Sequence, residues 1–185
     1  MSNELSGKRV AFLVANSGVE QIELTRPWDE LKDAGADVTL IAPSTDDVQA
    51  VNHDIEKGDT FSPDRAVSDA SAGDYDALVL PGGVANPDKL RMDSDAVAFV
   101  KSVAQSGKPI AAICHGPWTL VEADVVRGKT LTSWPSLQTD IRNAGGEWRD
   151  QESFTCPVEG FTLVTSRKPD DLDAFCAATI KAFAD

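Results

Sequence analysis

Pro109-Ile-Ala-Ala-Ile-Cys-His-Gly-Pro-Trp118 (PIAAICHGPW) holds a change of structure inside ten residues. Pro109 to Ile113 is an unbroken apolar run, long enough for a strand and too short for a helix, as expected of a strand covered on both faces. Cys114 follows at once. Gly116 then permits close backbone approach, and Pro117 is tolerated in the first turn of a helix. The stretch predicts a core strand that bends sharply into a helix, with a thiol held at the bend.

The neighbouring sequence repeats this alternation. Lys8 to Val14 (KRVAFLV) reads as a buried strand, followed by a turn at Asn16–Gly18. Leu24, Trp28 and Leu31 recur at i, i+4 and i+7 on one helix face, Gly35 supplies the stop, and Asp37 to Ala42 (DVTLIA) is a second strand. Strand, helix and strand in so short a span predict a right-handed βαβ unit. Thr45 to Gly73 is polar, with a short hairpin around Lys57–Phe61. Ala77 to Leu80 is a third core strand, cut off by Pro81-Gly82-Gly83. Ala96, Val97, Val100, Val103 and Ala104 line a helix face that Gly107 and Pro109 terminate. Downstream, helices are expected around Trp118–Ala123 and Ser136–Ala144, a strand over Phe161–Thr165, and a closing amphipathic helix on Leu172, Phe175, Cys176, Thr179, Ile180 and Phe183. The pattern predicts an α/β fold, an open and mostly parallel sheet with helices on both faces, whose ligand site lies beyond the carboxyl ends of the strands.

The 185 residues predict one domain over 1–185, able to bury a core without disulfides or metals. The net charge of −13 repels phosphate backbones and anionic membranes, so neither tight nucleic-acid binding nor membrane association is expected. No window reaches the ~18 apolar residues of a membrane span, and Met1 to Lys8 lacks signal-peptide regions, which predicts a cytoplasmic protein. Three widely spaced cysteines, Cys114, Cys156 and Cys176, form no Cys-x-x-Cys pair, so no zinc site, redox dithiol, metal or cofactor is expected.

Candidate chemistry falls at three strand ends. At Cys114, the N-terminus of the following helix favours an anion and is expected to lower the thiol pKa. After Ala77–Leu80, the Pro81-Gly82-Gly83 turn can aim a backbone N–H at an anion and, with the N–H of His115, form a two-donor oxyanion hole. After the first strand, Glu20 and Glu23 share a helix face at i and i+3, and either can hydrogen-bond the thiol or shuttle a proton. His115 is the natural base. Its side chain is expected to diverge from that of Cys114 unless a strained elbow brings them together. The only other histidine, His53, reads as a surface residue, and Cys156 and Cys176 read as packing residues. Trp118 and Trp134 are candidates to wall a pocket.

Several ordered motifs together resemble the DJ-1/PfpI superfamily, and its PfpI branch of intracellular protease I-like and general stress proteins in particular. They are Glu20-Gln21-Ile22-Glu23-Leu24, Asp74 to Gly83 (DYDALVLPGG), the CHGP elbow at Cys114–Pro117, Thr132-Ser133-Trp134-Pro135, and Asn143 to Trp148 (NAGGEW). The resemblance runs through nearly the whole chain and implies a flavodoxin-like three-layer α/β sandwich. It makes Cys114 the elbow nucleophile, His115 its triad neighbour, Glu23 the carboxyl that hydrogen-bonds the cysteine, and Gly83 and His115 the oxyanion-hole donors. The third triad carboxylate of the PfpI branch comes from an adjacent subunit and matches Asp88, one methylene shorter than the glutamate of the archaeal proteases. A homo-oligomer, dimer or hexamer, is thereby implied.

Three activities follow from this reading. The first is a cysteine-dependent deglycase or glyoxalase III-like enzyme, a hydrolase acting on glyoxal, methylglyoxal or their early protein adducts. The second is an intracellular cysteine peptidase using Cys114, His115 and Asp88. The third is a redox-responsive stress protein or chaperone that senses oxidation at Cys114. The absence of a suitable distant histidine argues against glutamine amidotransferase chemistry.

Overall fold

The structure is a computed structural model and describes residues 3–185. In chain order the first half contains β1 (Arg9–Leu13), β2 (Ser17–Glu20), α1 (Gln21–Asp33), β3 (Asp37–Ala42), β4 (Val48–Asn52), β5 (Glu56–Phe61), β6 (Arg65–Ala66), β7 (Ala77–Leu80), α2 (Ala85–Leu90) and α3 (Ser94–Gln105). The second half contains β8 (Ile110–Ile113), α4 (Pro117–Glu122), β9 (Thr130–Leu131), α5 (Gln138–Asn143), β10 (Glu147–Trp148), β11 (Ser153–Cys156), β12 (Leu163–Ser166) and α6 (Leu172–Ala184).

Seven strands form the central sheet in the order β11-β12-β8-β7-β1-β3-β6. Only β11 runs antiparallel to its neighbour; the other pairings are parallel. Successive residues of β1 face opposite sides, as the pleat requires. Val10 and Phe12 pack into a core with Leu24 and Leu31 of α1 and Phe175 and Phe183 of α6. Ala11 and Leu13 pack into a second core with Phe99, Val100 and Val103 of α3 and Leu120 of α4. Each such fully buried apolar side chain contributes roughly 1.5–3 kcal/mol, which is why apolar runs without polar alternation become the inner strands. The result is a flavodoxin-like three-layer sandwich: the alternation of elements predicts the mostly parallel sheet covered on both faces, and the family resemblance implies the flavodoxin-like form.

From β1 the chain steps to β3 on one side and later crosses to β7 on the other. The strand order therefore reverses at β1, and a crevice opens beyond the carboxyl ends of β1, β7 and β8. The exits of β7 and β8 lead to Gly83 and Cys114, and the chain leaving β1 passes through β2, which ends at Glu20.

Four features differ from the sequence expectation. The turn expected at Asn16–Gly18 is instead the start of β2, which pairs with β4 and carries an irregularity in register between Ser17 and Val19. Gly18, at φ +92°, fits that bulge. The hairpin in the polar stretch is real and larger than expected, with β4 antiparallel to β5 in a small three-stranded sheet with β2. The short α2 after the Pro-Gly-Gly turn, and the β9–β10 pair, have no counterpart in the sequence reading. Among the described residues, no helix is long and apolar enough to cross a membrane.

Candidate active site

Residues Ile110–Ile113 are completely buried, and the chain leaves the sheet at Cys114 with φ +60°. This left-handed conformation is strained for a residue with a Cβ, by roughly 1–2 kcal/mol, and is held by the surroundings. The Cys114 N–H donates to the Ser166 carbonyl at the end of β12 (3.0 Å), and its own carbonyl accepts the Trp134 N–H (2.9 Å). Gly116 has to be small: a Cβ there would lie 2.9 Å from the Ile113 carbonyl oxygen. The bend tips the thiol into a cavity of about 450 Å³ lined by Glu20, Glu23, His53, Asp54, Gly83, Trp134 and Lys168–Asp170.

The strained elbow brings together two side chains that adjacent positions normally separate. Cys114 Sγ and His115 Nδ1 are 3.2 Å apart, and His115 Nε2 faces Ser136 Oγ at 3.4 Å. The imidazole stacks on Trp134 (5.8 Å, 24°) and is tilted against Trp118 (5.2 Å). Burial pushes the His115 pKa down, partly opposed by the charge of Asp54, so the ring is neutral at pH 7.

Glu20 and Glu23 do not act from one face. Glu20 caps α1 in extended conformation (φ −65°, ψ 117°), which breaks the i, i+3 relation. Both Glu20 oxygens accept backbone N–H groups, from His53 and Asp54 (3.0 Å each). Glu23 is completely buried. Its Oε2 accepts the Gly82 N–H (2.9 Å), and its carboxyl faces the Cys114 thiol. Gly82 lies between them, and a Cβ there would come within 2.7 Å of Cys114 Cβ. Burial pushes the Glu23 pKa up to about 8, so this carboxyl is largely protonated at neutral pH.

The thiol does not follow the simple sequence expectation of a lowered pKa. Burial is the largest influence and raises it, and a negative Glu23 raises it further; the backbone N–H groups of Gly83 and His115, aimed at the sulfur, pull it down. Cys114 Sγ also sits two residues before the N-cap of a six-residue helix, so the helix dipole reaches it only weakly. The thiolate is favoured when Glu23 carries the proton, since a neutral carboxyl removes the repulsion and can donate to the sulfur. The other two cysteines are buried and unpaired; Cys156 Sγ accepts the Thr130 N–H (3.3 Å), and burial pushes Cys176 up to about 12. Among the described residues no cluster of three or more His, Cys, Asp or Glu side chains is placed to hold a metal ion.

Asp88 lies on an exposed position of α2 and does not line the cavity. Trp134 does line it, whereas Trp118 supports His115 from behind. The sequence reading missed four contributors. His53 is exposed, as expected of a surface residue, yet it and Asp54 form the cavity mouth; Lys168 and Asp170, an ion pair at 2.9 Å, complete it. The position of Lys168, two residues past the end of β12, was a usable signal, because β12 runs parallel to β8 and ends level with it, where Cys114 leaves the sheet.

The comparisons agree with this geometry. The DJ-1/PfpI family matches residues 8–182. The protein/nucleic acid deglycase 2 of Escherichia coli is 41% identical over 91% of this chain and 93% of its own. General stress protein 18 of Bacillus subtilis is 36% identical over 91% and 94%. The crystal structure of Drosophila melanogaster DJ-1beta superposes with a TM-score of 0.82 at 28% identity, covering 100% of this chain and 91% of that one. With the elbow thiol, the buried glutamate and the sheet order all in place, this chain belongs to the DJ-1/PfpI family.

Proposed function

We propose that the protein is a cysteine-dependent stress enzyme that converts glyoxal or methylglyoxal, free or as early protein adducts, into hydroxy acids. The observation that carries this reading is one sulfur placed between a protonated buried carboxyl and a neutral imidazole at the floor of a cavity. The thiolate adds to the aldehyde carbon, and the carbonyl oxygen takes a proton to give a hemithioacetal. The N–H groups of Gly83 and His115 hold the developing oxyanion. A neutral His115, or Glu23 once ionised, removes the proton from the former aldehyde carbon, and C2 regains one, leaving a thioester of the 2-hydroxy acid. Water cleaves the thioester, releases the acid and restores the thiol. The sum is methylglyoxal plus water to lactate, with no redox partner required. The names of the deglycase and stress-protein relatives support the same direction.

Cys114→Ser tests it: lactate formation from methylglyoxal should fall to background, and undiminished turnover would sink the proposal. A peptidase reading needs Asp88 to reach a neighbouring subunit's cavity, because on its own chain it stands outside the site. A monomer by light scattering would remove that reading and leave the first one standing.

A further inference from the structure

Asn86 is completely buried, although it is polar and lies outside the cavity lining. Its side chain joins the exits of two strands. Oδ1 accepts the Ala15 N–H just past β1 (2.6 Å), and Nδ2 donates to the carbonyls of Pro81 (2.9 Å) and Gly82 (3.0 Å) just past β7. Both amide protons and the oxygen are used, so the orientation of the group is determined by its three partners. The same turn is held from two other sides. The Gly82 N–H donates to Glu23 Oε2 (2.9 Å), and the Gly82 carbonyl also accepts the Glu20 N–H (3.3 Å). Gly83 then adopts φ +81°, and a Cβ there would lie 2.7 Å from Glu20 N. The backbone is thus pinned on both sides of the peptide whose N–H faces the sulfur.

We infer that Asn86 is a positioning residue, which fixes the Gly82–Gly83 turn and thereby aims the Gly83 N–H at Cys114. The carbonyls of Pro81 and Gly82 bracket the two peptide units that lead into Gly83. Tying both to one rigid amide leaves the Gly82–Gly83 peptide plane little freedom to rotate. Without Asn86 the Pro81 carbonyl and the Ala15 N–H are buried without this partner, the Gly82 carbonyl keeps only the longer bond from the Glu20 N–H, and the turn reorients to recover hydrogen bonds. The Gly83 donor then swings away from the sulfur. The thiolate loses one of the two backbone donors that favour it, and the oxyanion loses the same group. This inference rests on the proposed role of Gly83, but it is read at the thiol and does not depend on any particular substrate.

The test is the pH dependence of Cys114 alkylation by iodoacetamide, read by peptide mapping so that Cys156 and Cys176 do not contribute. In Asn86→Ala the midpoint should move upward by about one pH unit, an approximately tenfold slower reaction at any pH below it. Leu90→Ala, on the same helix but away from the turn, should lower thermal stability without moving the midpoint. An unchanged midpoint in folded Asn86→Ala overturns the inference, as does an equal shift in Leu90→Ala. Wild-type protein supplies an independent measurement should Asn86→Ala not fold. The Asn86 side-chain N–H groups should resist hydrogen exchange as long as the Gly82 N–H, and rapid exchange there overturns the inference too. If the midpoint shifts but wild type makes no lactate, the proposed reaction fails and the role of Asn86 stands.

Discussion

Cys114 Sγ stands 3.2 Å from His115 Nδ1, although the two residues are adjacent in sequence. Only the left-handed backbone at Cys114 permits this, and the ring is held there by Trp134 and Ser136. A neutral imidazole at that distance is suited to relaying protons. General acid–base groups contribute about 10²–10⁴-fold to rate, so His115→Ala should lower kcat by at least ~10² in lactate formation. Alkylation of Cys114 should slow much less, since the backbone N–H of residue 115 is retained. Unaltered kcat would reduce His115 to a backbone donor.

Glu23 makes stability depend on pH. Its folded-state pKa of about 8 lies above the ordinary 4.5. Between those values the folded state binds more protons than the unfolded one, so stability is fully present below pH 4.5 and is lost as pH rises through 8. The full effect is at most roughly 5 kcal/mol. Glu23→Gln keeps an acceptor for the Gly82 N–H and cannot ionise. Denaturant unfolding at pH 6 and pH 9 should show the wild type losing stability across this interval and Glu23→Gln losing much less. Equal losses would mean that Glu23 titrates normally.

Gly83 is required for both space and conformation. Gly83→Ala forces a Cβ against Glu20 N at a φ of +81°. It should destabilise the fold by about 1–3 kcal/mol and reduce turnover by ~10² or more through the displaced donor. Thermal unfolding and kcat measured on the same sample check both parts.

Oxidation should single out one cysteine. With limiting peroxide, the Cys114 thiolate attacks one oxygen, hydroxide leaves and is protonated to water, and the sulfur becomes a sulfenic acid. Cys114 opens onto a cavity of about 450 Å³, whereas Cys156 and Cys176 are packed within the two cores and line no such opening. Mass spectrometry should therefore find oxidation at Cys114 well before the other two. Equal oxidation of all three would show that the cavity gives Cys114 no special reactivity.

The inner sheet was legible because its strands are local apolar runs: β3 and β7 have the residue limits expected, and β1 and β8 differ only at their ends. Cys114, His115 and Glu23 were legible for a related reason, since each sits next to such a run or in a recognised motif. What was not legible depends on distant partners. Ser17–Glu20 becomes a strand only because Val48–Asn52 comes alongside it. His53 and Asp54 reach the cavity because the β4–β5 hairpin folds over it, and both adopt positive φ in its turn. The direction of the Cys114 pKa was misjudged because the sequence displays the helix start but not the depth at which the sulfur is buried. That depth is a property of all three layers together.

Both main-chain groups of Cys114 are engaged, by Ser166 on one side and Trp134 on the other, and only 5% of the residue is accessible. The nucleophile cannot rise out of its socket without unpicking the ends of two inner strands, so it waits for whatever can be lowered to it. A free dicarbonyl, or the slender tip of a long side chain on another protein, has that reach. A carbonyl set in the main chain of a folded partner does not.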